Sequence, residues 1–283
     1  MAEIGKRIRM LRKNKDITQE KLAEILSVSP QSVSKWENGI SVPDVELLPI
    51  IARYFGITMD ELFNYRLDAL NYKERFIRFM VDNGVLQFGS FELKSGRISP
   101  YIVHTSNYQT GAQITKLGQY FAECIRENNV ETDTLIADAK EEIPVIISTS
   151  MVLYKKYGID MNYSALHSIG KKPEKDDANT LIMDIITSGK SVKKALQTIS
   201  ELSGTEVKSV VVTVDRMERG ESTDMTAKEE IERDYNVKIY SIVTLDDIIQ
   251  ALENGVIAGT EYLEAMKQYR KEYGGCYGSG SGN

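Results

Sequence analysis

The chain has 283 residues, of which 42% are apolar and 27% charged, the size of two ordinary domains and the composition of a soluble globular protein. No apolar run reaches the roughly 20 residues of a membrane-spanning helix, and the first ten residues lack the apolar stretch of a secretory signal. The two cysteines and two histidines match no metal-site or disulfide spacing, so we expect a cytoplasmic protein without membrane contact or a structural metal.

The net charge of −6 is divided unevenly along the chain. Residues 1–40 carry eight basic and five acidic side chains, a net charge of +3, so the other 243 residues carry −9. A basic amino-terminal unit on an acidic body is typical of a small DNA-reading domain joined to an effector domain. A solvated basic helix face would give the same count, so this charge pattern is weak evidence by itself.

The first 66 residues predict a five-helix domain that contains a helix-turn-helix. Thr18 is a good N-cap for a second helix over residues 19–26, and Ser29 caps a third helix with Pro30 at its first position. Two short helices across a three-residue turn form a helix-turn-helix, whose second helix lies in the DNA major groove. The apolar residues predicted to face the core of this domain are Ile4, Ile8, Leu11, Val33, Trp36, Leu47, Leu48, Ile51, Phe55, Met59 and Leu62.

The segment TQEKLAEILSVSPQSVSKWENG, residues 18–39, resembles the signature of the phage-repressor-like (Cro/C1, XRE) family. The resemblance covers residues 4–62 and implies that this domain binds double-stranded DNA. Amide and hydroxyl groups can pair with base edges or phosphates, and a lysine can neutralise a phosphate. A protein-interaction module is the alternative. The side chains that the resemblance places against DNA are Gln19, Gln31, Ser32, Ser34 and Lys35.

From Tyr72 onward, short β-rich runs alternate with helical stretches. This alternation predicts a mostly parallel sheet covered by helices on both faces, and such sheets bind ligands at the carboxyl ends of their strands. The predicted strands include residues 135–136, 181–183, 210–214 and 237–243, and the predicted helices include 114–127, 143–156 and 191–202.

Several segments of this second part resemble the orotate phosphoribosyltransferase family. They include FGSFELKSGRISPY (88–101), LIMDIITSGKS (181–191) and VDRMERG (214–220). The resemblance spans residues 70–274 and implies a type I phosphoribosyltransferase-like α/β domain. The sequence thus predicts an α plus α/β chain: a DNA-binding domain over 1–66, this domain over 70–274 and a flexible tail over 275–283.

The resemblance also implies a ligand site. Thr187, Ser188, Gly189, Lys190 and Ser191 follow a strand and open a helix, where free N–H groups and the helix dipole favour an anion such as a 5′-phosphate. An ordinary strand–turn–helix connection is the alternative. Further positions that the resemblance assigns to the ligand are Asp184 at the ribose, Lys94 at the phosphoribosyl donor and Arg216 at the base. Arg216 could instead form an ion pair with Asp215 or Glu218.

Other positions depart from the family's pattern. Met183 replaces the first of two adjacent acidic residues, and Glu141 and Glu142 replace the lysine and glycine of the pyrophosphate loop. Two carboxylates about 4 Å from a diphosphate would repel it by several kcal/mol. The remaining departures are His167 and Ser168 in place of an Arg-Lys pair, and Ile102 and Val103 in place of two aromatic residues that flank the base.

We therefore expect no catalytic residues and no cofactor. The sequence predicts a cytoplasmic transcription regulator, a homodimer on palindromic DNA, whose inactive phosphoribosyltransferase-like domain binds a phosphorylated metabolite such as a pyrimidine nucleotide. Such a ligand would act by favouring one arrangement of the two DNA readers. One alternative is an active orotate or related phosphoribosyltransferase that uses Mg²⁺. The other is a ligand-free scaffold that binds a partner in a stress or defence system.

Overall fold

A computed structural model describes residues 2–57, 59–63, 71–93, 96–166, 169–170, 173–174, 177–222 and 224–275. The chain divides into two compact units, residues 1–71 and 72–283. Each unit has a hydrophobic core of its own. The predicted tail lies outside the described residues except for its first residue, Gly275.

The described part of the first unit consists of helices. Two of them begin at the predicted caps: Thr18 Oγ1 accepts the N–H of Lys21, and Ser29 Oγ accepts the N–H of Ser32. These bonds satisfy N–H groups that have no partner within the helix. The helices are α1 (Ala2–Asn14), α2 (Gln19–Ile25), α3 (Pro30–Glu37), α4 (Leu48–Phe55) and α5 (Met59–Phe63).

The core of the first unit confirms most of the predicted apolar positions. Val33 and Trp36 on α3 are buried, with exposed fractions of 0% and 5%, so α3 presents its other face outward. Met59 is exposed, in contrast to Leu62 on the same helix. Helices α1 and α3 approach so closely that a Cβ atom on Gly5 would lie 1.8 Å from the carbonyl oxygen of Trp36. Glycine is therefore required at this crossing.

The second unit alternates strands and helices, as the sequence predicts. Its described elements are α6 (Tyr72–Asp82), β1 (Leu86–Glu92), β2 (Ile98–Val103), α7 (Gly111–Glu127), β3 (Thr134–Ala137), α8 (Ile143–Tyr157), β4 (Asn162–Ala165), β5 (Ile169–Gly170), β6 (Asn179–Ile186), α9 (Lys190–Ser203), β7 (Val207–Asp215), α10 (Ala227–Tyr235), β8 (Lys238–Thr244), α11 (Leu245–Glu253) and α12 (Leu263–Tyr273). Short 3₁₀ turns lie at Thr105–Asn107, Lys140–Glu142 and Thr260–Tyr262.

Six of these strands form one sheet in the order β5-β4-β3-β6-β7-β8. Strands β4, β3, β6, β7 and β8 are parallel, and the edge strand β5 is antiparallel to β4. Strands β1 and β2 form a separate antiparallel pair. The prediction of a mostly parallel α/β sheet is confirmed.

Strand β7 separates two hydrophobic cores. Val211 and Val214 belong to the core that includes residues of α6, α7 and α11. Val210 and Val212 belong to the core that includes residues of α9 and α10. Successive side chains of a strand point to opposite faces, so Val210, Val211 and Val212 alternate between the two sides of the sheet.

Helix α7 begins three residues before the predicted start. Thr110 Oγ1 accepts the N–H of Gln113, and Gln113 Oε1 accepts the N–H of Thr110. This capping box extends the helix to Gly111.

None of the helices in the described part of the chain is both long and apolar enough to cross a membrane.

Candidate functional site

The outer face of α3 carries two exposed polar side chains, Gln31 and Lys35. They are four residues apart and therefore lie on the same face of the helix, one turn from each other. Within the described ranges, neither side chain has a hydrogen bond or an ion pair. Both are thus available for an intermolecular contact.

The other three predicted DNA contacts already have partners within the unit. The hydroxyls of Ser32 and Ser29 lie 2.9 Å apart, and Asn38 Nδ2 donates to Ser34 Oγ at 3.4 Å. Gln19 is half-buried, and its Nε2 donates to Glu37. Contact of these three residues with DNA stays a prediction. Each side chain would have to use hydrogen-bonding capacity that its internal bond does not occupy.

A buried ion pair holds α3 against α1. Arg12 Nε and Nη2 donate to the two oxygens of Glu37 at 2.6 and 3.0 Å, and Gln19 Nε2 donates to Oε2 at 2.7 Å. Burial alone would raise the pKa of the Glu37 carboxyl, but these hydrogen bonds outweigh it, so the pKa lies below its ordinary value. The sequence pattern did not reveal this pair, because its residues lie 25 positions apart.

In the second unit, a cavity of about 470 Å³ opens at the carboxyl end of β6. It lies between the 3₁₀ turn after β2, the start of α7 and the turn that leads into α8. Its lining combines apolar side chains with hydroxyl, amide and carboxylate groups. The lining residues are Thr105, Ser106, Tyr108, Gln109, Thr110, Gly111, Ile114, Leu117, Phe121, Glu141, Glu142, Pro144, Val145, Ile182, Met183 and Asp184.

Every charged residue in the described lining of this cavity is acidic. Asp184 is half-buried and accepts a hydrogen bond from Thr105 Oγ1. Burial raises the pKa of the Asp184 carboxyl, and Thr105 opposes this effect. Burial also raises the pKa of the Glu142 carboxyl, and the nearby Asp184 and Glu141 add to this increase. Among the described lining residues there is no lysine, arginine or histidine.

The predicted phosphate loop connects β6 to α9. Gly189 has a φ of +85°, and a Cβ atom there would lie 2.6 Å from Cδ1 of Ile231, so only glycine fits. No side chain among the described residues caps α9, so the first N–H groups of this 14-residue helix are available to an anion. Lys190 Nζ, however, lies 3.2 Å from Glu221 Oε1.

Arg216 is buried within the second unit, with an exposed fraction of 4%. Its Nε donates to Glu218 Oε1 at 2.7 Å, and its Nη2 donates to Ser99 Oγ at 3.1 Å and to the hydroxyl of Tyr269 at 3.0 Å. The guanidinium also lies 4.2 Å from the ring centroid of Tyr101. The structure therefore shows the ion pair with Glu218 that the sequence left open, and contact of Arg216 with a base stays a prediction.

The neighbouring Asp215 does not pair with Arg216. Its Oδ1 accepts the N–H of Met217 at 2.7 Å. The side chain is buried, and burial raises the pKa of this carboxyl to about 6. Lys94, His167 and Ser168 lie outside the described residues.

Residues 8–62 match the helix-turn-helix family. The orotate phosphoribosyltransferase of Clostridium botulinum (strain Alaska E43) is 36% identical over 220 residues, which cover 72% of this chain and 98% of that protein. The orotate phosphoribosyltransferase of Mannheimia succiniciproducens is 34% identical over 217 residues, with the same coverage of both chains. The chain belongs to the orotate phosphoribosyltransferase family.

The solved structures agree with this assignment. The crystal structure of orotate phosphoribosyltransferase from Francisella tularensis has a TM-score of 0.63 and 31% sequence identity, and the match covers 71% of this chain and 99% of that one. The chain is thus a helix-turn-helix DNA-binding domain fused to an orotate phosphoribosyltransferase-like domain.

The departures from the orotate phosphoribosyltransferase pattern have different structural settings. Glu141 and Glu142 line the cavity next to Asp184. Met183 is 8% exposed; it packs in the core between the sheet and α9 and also lines the cavity. Val103, at a position usually aromatic, belongs to the other core. The changes at positions 141, 142 and 183 therefore alter the charge of the cavity itself, since two of them add a carboxylate and one replaces an acidic residue.

Sequence reasoning missed Thr105, Tyr108 and Thr110 as lining residues. The Thr-x-x-Gln pattern of Thr110 and Gln113 was a readable helix-start signal. No sequence signal marks Thr105, because its bond to Asp184 joins residues 79 positions apart.

Proposed function

We propose that this protein is a DNA-binding transcription regulator whose orotate phosphoribosyltransferase-like domain binds a phosphorylated ligand without catalysis. One observation supports the loss of catalysis above all. Glu141 and Glu142 line the same cavity as Asp184, and the described lining residues include no cation. A diphosphate leaving group needs positive charge around it, because stabilisation of such transition states is mainly electrostatic.

The magnitude of the repulsion supports this interpretation. Two unit charges of like sign 4 Å apart repel each other by about 4 kcal/mol at an effective dielectric constant near 20. The loss of an attractive lysine at position 141 adds to this penalty. Several such terms together correspond to many factors of ten in rate.

The loop at Thr187–Ser191 supports binding of a single phosphate. Gly189 permits close approach of the backbone, and the uncapped start of α9 supplies N–H groups and a favourable dipole. Asp184 would hold a ribose hydroxyl beside this loop. A pyrimidine nucleoside monophosphate carries both groups and no diphosphate, so it is the ligand class that we propose.

A homodimer on a palindromic site is the assembly that we propose for DNA binding. Two helix-turn-helix units related by a two-fold axis read half-sites about one helical turn apart. The ligand would change DNA affinity if it binds one arrangement of the dimer more tightly than the other.

The decisive experiment combines turnover and binding on the full-length protein. Pyrophosphate release is measured with orotate, phosphoribosyl pyrophosphate and Mg²⁺, and binding of uridine monophosphate is measured by calorimetry. We expect no release above the blank and a saturable binding signal. Sustained turnover would overturn the proposal. Absence of a calorimetric binding signal for every phosphorylated ligand would favour a ligand-free scaffold.

A pair of glycine variants controls for folding. Gly189→Val should abolish uridine monophosphate binding, because a side chain there collides with Ile231 and displaces the loop. Gly204→Val changes the glycine at the other end of α9, which has a φ of +66° and open space around it. It imposes a comparable backbone strain and should leave ligand binding intact.

An active transferase is the second candidate, favoured by the 36% identity that extends over 98% of the Clostridium botulinum relative. The double change Glu141→Lys with Glu142→Gly restores the family's residues at these positions. If the chain already transfers phosphoribosyl groups, this variant should change its rate little. If the glutamates block the leaving group, it should bind phosphoribosyl pyrophosphate much more tightly than the wild type.

A further inference from the structure

The cavity at the end of β6 combines an apolar wall with an acidic rim. Ile114, Leu117 and Phe121 contribute apolar surface from α7, and Val145 and Met183 contribute more from α8 and β6. Its volume of about 470 Å³ lies within the range of about 300 to 1,000 Å³ that is typical of small-molecule sites. The cavity is therefore large enough for an organic ligand with an apolar body.

The rim favours positive charge. Glu142 and Asp184 are half-buried, and Glu141 lies exposed at the opening. Glu142 Oε2 accepts the N–H of Ala139 at 3.0 Å, and Asp184 Oδ2 accepts from Thr105. In the described part of the chain, Asp184 Oδ1 has no hydrogen-bond partner. An ammonium group would both neutralise these charges and donate to the free oxygen.

A second observation comes from Tyr108, which lines the same cavity. This residue is 8% exposed, and its hydroxyl has no hydrogen-bond partner among the described residues. Its ring stacks on Phe79 with the centroids 5.3 Å apart, so its position is fixed by packing. A buried hydroxyl without a partner destabilises the folded chain. A ligand that forms a hydrogen bond with this hydroxyl would offset that destabilisation.

A metal ion fits the cavity less well than an organic cation. Among the described residues, no three acidic, histidine or cysteine side chains are grouped closely enough to hold a metal ion. The apolar side chains have no oxygen atoms that could coordinate a hydrated divalent ion. They do offer contact area to a hydrocarbon or aromatic body.

We propose that this cavity binds an organic cation, a protonated amine attached to an apolar or aromatic body. The amine lies between Glu142 and Asp184, and the body fills the wall formed by α7 and α8. This site shares Asp184 with the proposed ribose position, but it does not include the phosphate loop at Thr187–Ser191 and does not require that loop to hold a ligand.

Calorimetry on the full-length protein tests this proposal with three probes of similar shape. 2-Phenylethylamine carries the cation, 2-phenylethanol is its neutral counterpart, and 3-phenylpropionate carries an anion. We expect the amine to bind in the millimolar range or tighter, the alcohol about tenfold more weakly and the anion not at all. Equal binding of the three probes, preference for the anion or no binding of the amine would each overturn the proposal.

Variants connect the binding to these residues. Glu142→Gln should weaken amine binding about tenfold and leave the alcohol unchanged, because it removes charge but keeps the shape. Glu206→Gln, on the exposed loop before β7, is the matched control and should change nothing. Tyr108→Phe should weaken both the amine and the alcohol. An unchanged amine affinity in Glu142→Gln would contradict the proposal.

The same titrations keep this proposal apart from the proposed function. Gly189→Val should abolish binding of uridine monophosphate and leave binding of 2-phenylethylamine intact. Loss of the nucleotide signal alone therefore bears on the phosphate loop, and loss of the amine signal alone bears on the cavity.

Discussion

Glu221 Oε1 lies 3.2 Å from Nζ of Lys190, the first residue of α9, and Glu221 Oε2 lies 3.8 Å from Nζ of Lys193. Lys193 also forms an ion pair with Glu230, which is fully buried. The loop after β7 thus places a carboxylate beside the start of α9. A phosphate bound at Thr187–Ser191 would compete with this carboxylate for Lys190.

Glu221→Gln should therefore increase the affinity for uridine monophosphate. Exposed ion pairs contribute up to about 1 kcal/mol, so we expect a two- to fivefold gain, measured by calorimetry. Glu206→Gln breaks a comparable exposed pair with Lys208 and serves as the control. An affinity that stays the same or falls would mean that Lys190 does not contact the phosphate.

Gln31 and Lys35, the exposed residues of α3, should contribute to DNA binding in different ways: Gln31 to base specificity and Lys35 to phosphate neutralisation. Selection from a random oligonucleotide pool identifies the DNA site. Gln31→Ala should then reduce the free energy of DNA binding by about 1 to 3 kcal/mol and relax the sequence preference at one base pair, because an amide reads a base edge. Lys35→Ala should weaken binding to all sequences and reduce the salt slope by about one. Lys194→Ala, an exposed lysine of the second unit, is the control.

A base preference that Gln31→Ala leaves intact would place α3 outside the major groove. Binding that Lys35→Ala leaves unchanged at low salt would remove this lysine from the phosphate contacts. Either result would require a different DNA-facing surface on the first unit.

The buried pair of Arg12 and Glu37 should be required for stability of the first unit. Arg12→Met leaves the Glu37 carboxylate, which is only 1% exposed, without its cation. Such a change lowers the free energy of unfolding by about 3 to 5 kcal/mol. The double change Arg12→Met with Glu37→Leu should recover most of this loss. Trp36 is the single tryptophan of the chain and lies in this core, so its fluorescence follows unfolding of the first unit.

The same pair predicts a dependence on pH. The pKa of Glu37 is lower in the folded chain than in the unfolded chain, so its contribution to stability is present at neutral pH. It should be lost as the pH falls below about 4.3, the ordinary pKa of a glutamate, and through the folded pKa. A Trp36 unfolding transition that is unaffected between neutral pH and this range would contradict the prediction.

Asp215 should show the opposite dependence. Its folded pKa of about 6 exceeds the value of about 3.9 in an unfolded chain, a difference equivalent to about 3 kcal/mol. This contribution to stability is present at acidic pH and is lost as the pH rises through about 6. Lys228 and Arg270 lower this pKa, and Asp246 raises it, but burial dominates.

Asp215→Asn tests this dependence. The asparagine oxygen can still accept the N–H of Met217, so the variant removes only the charge. From about pH 4 to pH 7, wild-type unfolding free energy should fall by about 3 kcal/mol relative to the variant, as followed by far-ultraviolet circular dichroism. Glu142 and Asp184 titrate in both proteins and cancel in the comparison. Parallel curves would mean that Asp215 is not buried as a carboxylate.

Local chemistry explains what the sequence predicted well. Thr18 and Ser29 act as caps within three residues of their partners, and the alternation of strands and helices gave the α/β class. Contacts between distant positions were not predictable in the same way. The sequence could not show that Arg216 pairs with Glu218, because the hydrogen-bond network around this pair includes Ser99 and Tyr269, which lie on other elements.

The charge of the cavity shows a second limit of prediction from the sequence. The sequence identified Glu141 and Glu142 as replacements, but only the fold places them with Asp184 and Tyr108 around one space. Likewise, the positive charge of Lys190 favoured a phosphate in the sequence, and the structure brings Glu221 to it. Burial and pairing decide how a charge acts, and both arise from packing of elements far apart in the chain.

The valine run of β7 has a consequence for how the sheet is aligned. A slip by one residue would exchange the faces of Val210, Val211 and Val212 without any loss of hydrophobic fit, so these residues do not encode their own register. The polar side chains at either end do. Ser209 bonds Thr180 at 2.8 Å, and Thr213 bonds the backbone carbonyl of Asp184. These hydroxyl groups thereby fix the register of β7 against β6, in which Asp215 lies opposite Ile186, two residues beyond Asp184, at the carboxyl ends of the strands.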